Sequence, residues 1–232
     1  MELTRGNEDL ERLNQELNDP ETLRAYREPL DAYRPSFLPR ILGSWLVFCG
    51  NLIYGEKPTY LKFRAVEVIA RVPYHSWASS AYTLLTLFYS DEGKALKLSN
   101  LARYARFAQD NETMHVIVIS QLARQEERAG FFRHTLIPML FAFFYFWWSY
   151  VLYLANPRYS YELNYMFENH AFEQYSRFLE ENKEALSHKP IESAFLNWYG
   201  RHPRTQYEFF QSVRNDEIIH RNSSIHEITP KA

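Results

Sequence analysis

A chain of 232 residues with a formal net charge of −2 is long enough to surround a sizeable core without disulfides, and its scattered charges leave no basic stripe for nucleic acid. The one cysteine, Cys49, excludes an intramolecular disulfide and every cysteine-rich zinc or iron–sulfur arrangement, so any metal must be held by His and carboxylate. Aromatic residues make up 17% of the chain, more than an ordinary core requires; many fall in two apolar stretches, which points toward a membrane surface.

Sparse Val/Ile alternation and apolar residues three and four apart predict an all-α protein. Residues 1–36 read as a polar N-terminal arm; their first stretch, MELTRGNEDLERLNQELNDP, is net acidic, the opposite of a signal or transit peptide. Residues 38–54 (LPRILGSWLVFCGNLIY) form a helix too short to span a bilayer. A helix carrying Glu67 begins after Pro58, with Pro73 expected to kink it, and the next runs from about Ala95 through Glu112 and His115, making one antiparallel pair with it. Leu136 to Ala155 holds no charged residue and is bracketed by Arg133 and His134 before and Arg158 after, so hydropathy alone makes it a membrane-spanning candidate. Two further helices follow, near 161–182 with Glu168 and near 205–225 with Glu217 and His220, joined by a linker holding Pro190 and Pro203. The expected organisation is the arm (1–36), one helical domain (37–226) with apolar surface helices near 38–54 and 134–155, and a short tail (227–232).

Glu and His three apart on a helix point to the same side, so Glu112-x-x-His115 and Glu217-x-x-His220 each offer a carboxylate oxygen and an imidazole nitrogen together. A lone Glu from each remaining helix, Glu67 and Glu168, completes four carboxylates and two histidines in the order E, ExxH, E, ExxH, the ligand set of ferritin-like four-helix bundles. Either motif alone is weak, and spacing leaves open that these are solvated carboxylates and ordinary histidines. Apolar neighbours such as VIVIS after His115 argue for burial, and buried unpaired carboxylates cost several kcal/mol each. Two divalent cations would neutralise four carboxylates. Oxygen and nitrogen donors without sulfur leave manganese and zinc open beside iron.

The segments VEVIARVPY (66–74), DNETMH (110–115), LYLANPRYSYELNYMFENHAFEQYSRFLE (152–180) and RNDEIIH (214–220) resemble the alternative oxidase family, most closely its plastid-type plastoquinol oxidases in a cyanobacterial or cyanophage-like form. The resemblance runs from about Tyr60 to His220. It implies a ferritin-like four-helix bundle around two iron ions held by Glu67, Glu112, His115, Glu168, Glu217 and His220, with Tyr175 as a catalytic residue beside them. It also implies that Asn111, Asp216 and Arg214 orient the ligands, and that Lys62, Val66, Ala171 and Gln174 line a quinol pocket. The family usually has Arg at the position of Lys62; lysine lacks the planar fork of a guanidinium. The implied reaction is quinol oxidation coupled to reduction of dioxygen to water without proton pumping, in a thylakoid or plasma membrane, with a homodimeric state left open.

The ligands also constrain topology. If Leu136–Ala155 crossed the bilayer once, Glu67, Glu112 and His115 would lie on one side and Glu168, Glu217 and His220 on the other. Attachment to the lipid surface within one leaflet, with Trp45, Trp147 and Trp148 at the interface and Arg40, Arg124, Arg128 and Arg133 near headgroups, removes the conflict. Three rivals share parts of this pattern: a membrane-associated di-iron quinone hydroxylase, an iron-storing ferritin-like protein, and a small integral membrane protein whose His and Glu are incidental.

Overall fold

A computed structural model describes residues 2–126 and 128–229, so the last three residues of the expected C-terminal tail lie outside the described residues. The helices are α1 (Glu2–Glu16), α2 (Pro20–Asp31), α3 (Phe37–Tyr54), α4 (Tyr60–Ala70), α5 (Val72–Phe88), α6 (Glu92–Glu126), α7 (Ile137–Ala155), α8 (Pro157–His188), α9 (Ala194–Tyr199) and α10 (Gln206–His226). A π-helical turn, Phe132–Leu136, leads into α7. There is no strand among the described residues beyond one isolated bridge, Pro190 to Thr205, and the all-α class stands. The chain divides into two compact units, Phe48–Ser160 and Met1–Val47 with Tyr161–Ala232.

In the unit of residues 48–160, α4 packs on α6 and α7, and α5 packs on the same two helices. Thr59 starts α4 by accepting a hydrogen bond from the Lys62 amide at 3.2 Å. The helix stops at Ala70 where a single longer, kinked helix was expected. Pro73 sits in the first turn of α5, where its missing N–H costs no helical hydrogen bond. Along α6 a buried seam runs through Leu101, Ala105, Ala108, Glu112, His115, Ile119 and Leu122, alternating steps of four and three as a packed helix face requires. Two polar residues therefore occupy seam positions that packing alone would fill with apolar ones. Trp77, fully buried on α5, gives its indole N–H to Ser160 Oγ at 2.7 Å, and Ser76 Oγ donates to Ser149 Oγ on α7 at 2.7 Å. The other side of α7 is solvent-facing: Phe143, Phe144, Trp147, Trp148 and Val151 are all exposed.

The second unit is built on α8 and α10. A seam on α8 runs Tyr161, Tyr165, Glu168, Phe172, Tyr175 and Leu179, all buried, with the same four–three alternation. From Asn215 to Asn222 every residue of α10 is buried although most are polar, so these side chains need partners on several sides. The segment expected as a polar arm supplies many of them: α1 and α2 both pack on α10. Leu17 of the turn after α1 joins Phe172, Ile218 and Ile219 in a hydrophobic cluster backed by Leu10, Leu13, Leu23 and Tyr26. Gly43 lets α3 pass close to α8, since a Cβ there would stand 2.9 Å from Met166 Sδ. The linker before α10 contains the unpredicted short helix α9, capped by Ser193 at its start and by Gly200 (φ 92°) at its end.

Candidate metal-ligating clusters

Each unit buries a cluster of two glutamates and one histidine. In the unit of residues 48–160, Glu67 comes from α4 and Glu112 and His115 from successive turns of α6. The His115 Nδ1 atom lies 3.5 Å from Glu67 Oε2 and 3.4 Å from Glu112 Oε2, and one ligand atom from each of the three falls within 4.8 Å of the others. All three are buried. Burial, reinforced by the neighbouring Glu112 charge, pushes the Glu67 carboxyl above the usual carboxylate range, with His115 pulling the other way. A buried carboxyl that resists ionising beside a second buried carboxylate is a setting in which a cation is favourable, and two carboxylates with an imidazole suit a divalent metal of the first transition row.

In the other unit, Glu168 of α8 and Glu217 and His220 of α10 are likewise buried and place ligand atoms within 4.8 Å of one another. Glu168 Oε1 accepts a hydrogen bond of 3.0 Å from Asn164 Nδ2, one turn earlier, and the same amide donates to Ser224 Oγ at 3.1 Å. Asn164 thereby fixes one oxygen of Glu168 and ties α8 to α10. Its only trace in the sequence is the four-residue spacing, shared by many pairs without function.

Tyr175 is buried two turns after Glu168, its ring 6.1 Å from that of Phe210. Asn111 is buried on α6 beside Glu112. Asp216 accepts hydrogen bonds from Arg201 Nη1 at 2.5 Å and from Asn14 Nδ2 at 2.6 Å. Arg201, from the linker, also reaches Glu11 at 2.6 Å; burial opposes its charge, but Asp216 and Glu11 outweigh this and hold its pKa above the ordinary guanidinium value. Sequence reasoning did not single out Arg201. Arg214 donates to Asn215 Oδ1 at 2.7 Å and to the Leu17 carbonyl at 3.4 Å.

Of the expected quinol-pocket residues, Lys62 and Val66 belong to one unit and Ala171 and Gln174 to the other. Lys62 is buried, donating from Nζ to Asn51 Oδ1 at 2.9 Å and to the Glu56 carbonyl at 3.3 Å; Val66, Ala171 and Gln174 are half-buried. Arg133 donates to the Ile53 carbonyl at the end of α3, and Tyr54 returns a hydrogen bond to the Arg133 carbonyl at 2.9 Å. At least part of that guanidinium serves to close a helix terminus.

An all-helical fold with buried carboxylate–histidine clusters defines a protein able to hold metal ions on paired helices. The alternative oxidase family profile matches residues 46–229, and the chain belongs to the alternative oxidase family. It is 27% identical over 191 residues to Ubiquinol oxidase 4, chloroplastic/chromoplastic, of Arabidopsis thaliana, an alignment covering 73% of this chain and 51% of that protein. The chain thus spans about half the length of this curated relative. No solved structure matches. Both clusters lie inside the matched segment, whereas α1 and α2 precede it.

Proposed function

We propose that this protein is a membrane-surface quinol oxidase in which the two clusters together hold two iron ions. The observation that carries this is a buried Glu/Glu/His triad in each unit of a chain belonging to the alternative oxidase family. The plant relative, a ubiquinol oxidase, supports the activity; the resemblance of the ligand-bearing segments to plastid-type members favours plastoquinol as the donor here. Two quinols would be oxidised to two quinones while one dioxygen becomes two waters, without proton pumping.

The iron pair, when bound, would supply the electron transfers between quinol and dioxygen. The protein would provide Glu67, Glu112, Glu168 and Glu217 as anionic ligands and His115 and His220 as neutral ones, completing a four-helix bundle from α4, α6, α8 and α10. Asn164 keeps the Glu168 carboxylate in a fixed orientation. Tyr175 would act as the catalytic phenol, delivering a hydrogen atom or proton from its hydroxyl; on α8 it shares the buried seam of Glu168. Asn111, Asp216 and Arg214 would orient ligands. Lys62, Val66, Ala171 and Gln174 would receive the quinol head, Lys62 donating to a quinol oxygen.

Two helices, Phe37–Tyr54 and Phe132–Ala155, are long and apolar enough to cross a membrane by length and composition, and little of either is buried inside the protein. We read both as lying in one leaflet, because a crossing between His115 and Glu168 would separate ligands that must meet. Iron analysis together with oxygen uptake on plastoquinol and ubiquinol tests the reading. Two irons per chain and quinone as product support it. An oxygen atom in the quinone ring would instead identify a hydroxylase, and a protein without iron or oxygen uptake would overturn the proposal.

A further inference from the structure

The polar residues flanking the ligands of α10 are bonded to the N-terminal helices, on both sides of the ligand pair. Before Glu217, Asp216 accepts from Asn14 Nδ2 at 2.6 Å, and that amide also donates to the Ser212 carbonyl at 2.8 Å. Asn215 Nδ2 donates back to the Asn14 carbonyl at 2.8 Å. After His220, the fully buried Arg221 donates from Nη1 to Asp31 Oδ1 at 2.7 Å and from Nη2 to the Arg27 carbonyl at 2.8 Å. Its Nη1 also reaches Asn169 Oδ1 at 2.9 Å, and Asn169 is the neighbour of Glu168 on α8.

A helix can misplace its ligands by turning about its axis or sliding along it. A turn of about 10° carries an atom roughly 6 Å from the axis by about 1 Å, enough to spoil a site that needs its donors held to about 0.5 Å. Apolar packing such as Leu17 against Ile218 and Ile219 tolerates small movements of this kind, whereas hydrogen bonds are directional and resist them. The bonds fall one residue before Glu217 and one after His220, so they oppose both motions where the ligands leave the helix.

We propose that α1 and α2 are a positioning clasp for the Glu168, Glu217 and His220 triad, Asn14 acting through Asp216 and Asp31 acting through Arg221. The inference rests on reading the triad as metal-ligating. It adds that residues before the family-matched segment, which supply none of the six ligand side chains, govern how well the triad binds. Asn14 and Asp31 are positioning residues.

Full-length Asn14→Ala, Asp31→Ala and the double variant, each prepared without metal and titrated with Co2+ as the probe, test it. Two quantities are read: the rise in Tm on saturation with Co2+, and the visible absorption bands, which report coordination geometry. Wild type is expected to show both. Each single variant should bind Co2+ about tenfold more weakly, a difference of about 1.4 kcal/mol, with altered bands, and the double variant more weakly still. A brace that only stabilises the fold would lower the Tm of free and loaded protein equally, leaving the metal-dependent rise, the affinity and the bands unchanged; that result overturns the clasp. Absence of a Tm rise and of bands in wild type would overturn the metal reading and the clasp with it. Should the double variant not fold, the single variants decide, since each leaves one side of the clasp intact.

Discussion

At the scale of single residues, the proposed site distinguishes groups that would bind from groups that would orient, and each kind has its own expected defect. Glu112→Ala removes a proposed ligand and should lose iron in metal analysis; Tyr175→Phe removes only a hydroxyl and should abolish quinol oxidation with iron retained. An active Tyr175→Phe enzyme would rule out the phenol's chemical role. Arg201→Ala should cost about 3 kcal/mol of stability in denaturant unfolding, because it leaves Asp216 buried without the partner that balances its charge. Glu112, His115, Glu217 and His220 were legible in the sequence because a three-residue interval on a helix puts both groups on one side. Asn164 and Arg201 were not: the first is an ordinary amide at a common spacing, and the second lies in a linker whose fold local patterning does not reveal. Lys62 was read for a pocket, and its bonds to Asn51 and the Glu56 carbonyl are a role that sequence spacing could not display.

At the scale of elements, hydropathy located α3, α6, α7, α8 and α10 but misjudged the N-terminal helices. The N-terminal stretch reads as a polar arm because its polar groups are numerous; the ones that hold it, Asn14, Asn18 and Asp31, have polar partners on α10, nearly two hundred positions away. Such pairing leaves no hydrophobic period to detect. One consequence is a pH dependence. Burial raises the Asp31 carboxyl, but hydrogen bonds from Arg221 and Arg27 outweigh it and hold the group below its ordinary 3.8. A carboxylate depressed in the folded state contributes fully above that value and loses its contribution as the pH falls through the lower folded one. Asp31→Asn should therefore flatten the loss of stability on acidification below about pH 4, followed by thermal melts across that range, while wild type retains the steeper decline. A different element carries the membrane prediction. The exposed face of α7 contains Phe144 and Trp147, and keeping one such side chain from an apolar phase forfeits about 1.5–3 kcal/mol. Phe144→Glu with Trp147→Glu should then weaken co-sedimentation with lipid vesicles by at least about tenfold, with helical content and iron unchanged.

At the scale of the whole molecule, the ligand order constrains the chain's relation to a bilayer more than hydropathy does. Two helices meet the length and composition of a membrane span, and α3, at 18 residues, reaches the lower limit of spanning length where the sequence suggested a shorter element. Hydropathy therefore permits either crossing or lying flat. The proposed metal centre does not, because α7 falls between the halves of the ligand set in the chain, and one crossing would place them on opposite sides of about 30 Å of hydrocarbon. α3 cannot compensate, since it precedes all six ligands. Changing Cys49 to Ser and introducing single cysteines at exposed Lys97 on α6 and exposed Glu180 on α8 gives one reporter on each side of α7. In sealed vesicles carrying the protein in one orientation, a membrane-impermeant thiol reagent should label both positions or neither, and detergent should make both reactive. Labelling of one position alone would mean that α7 spans the bilayer, and a single di-iron centre drawing on Glu67 and Glu217 together would then be impossible.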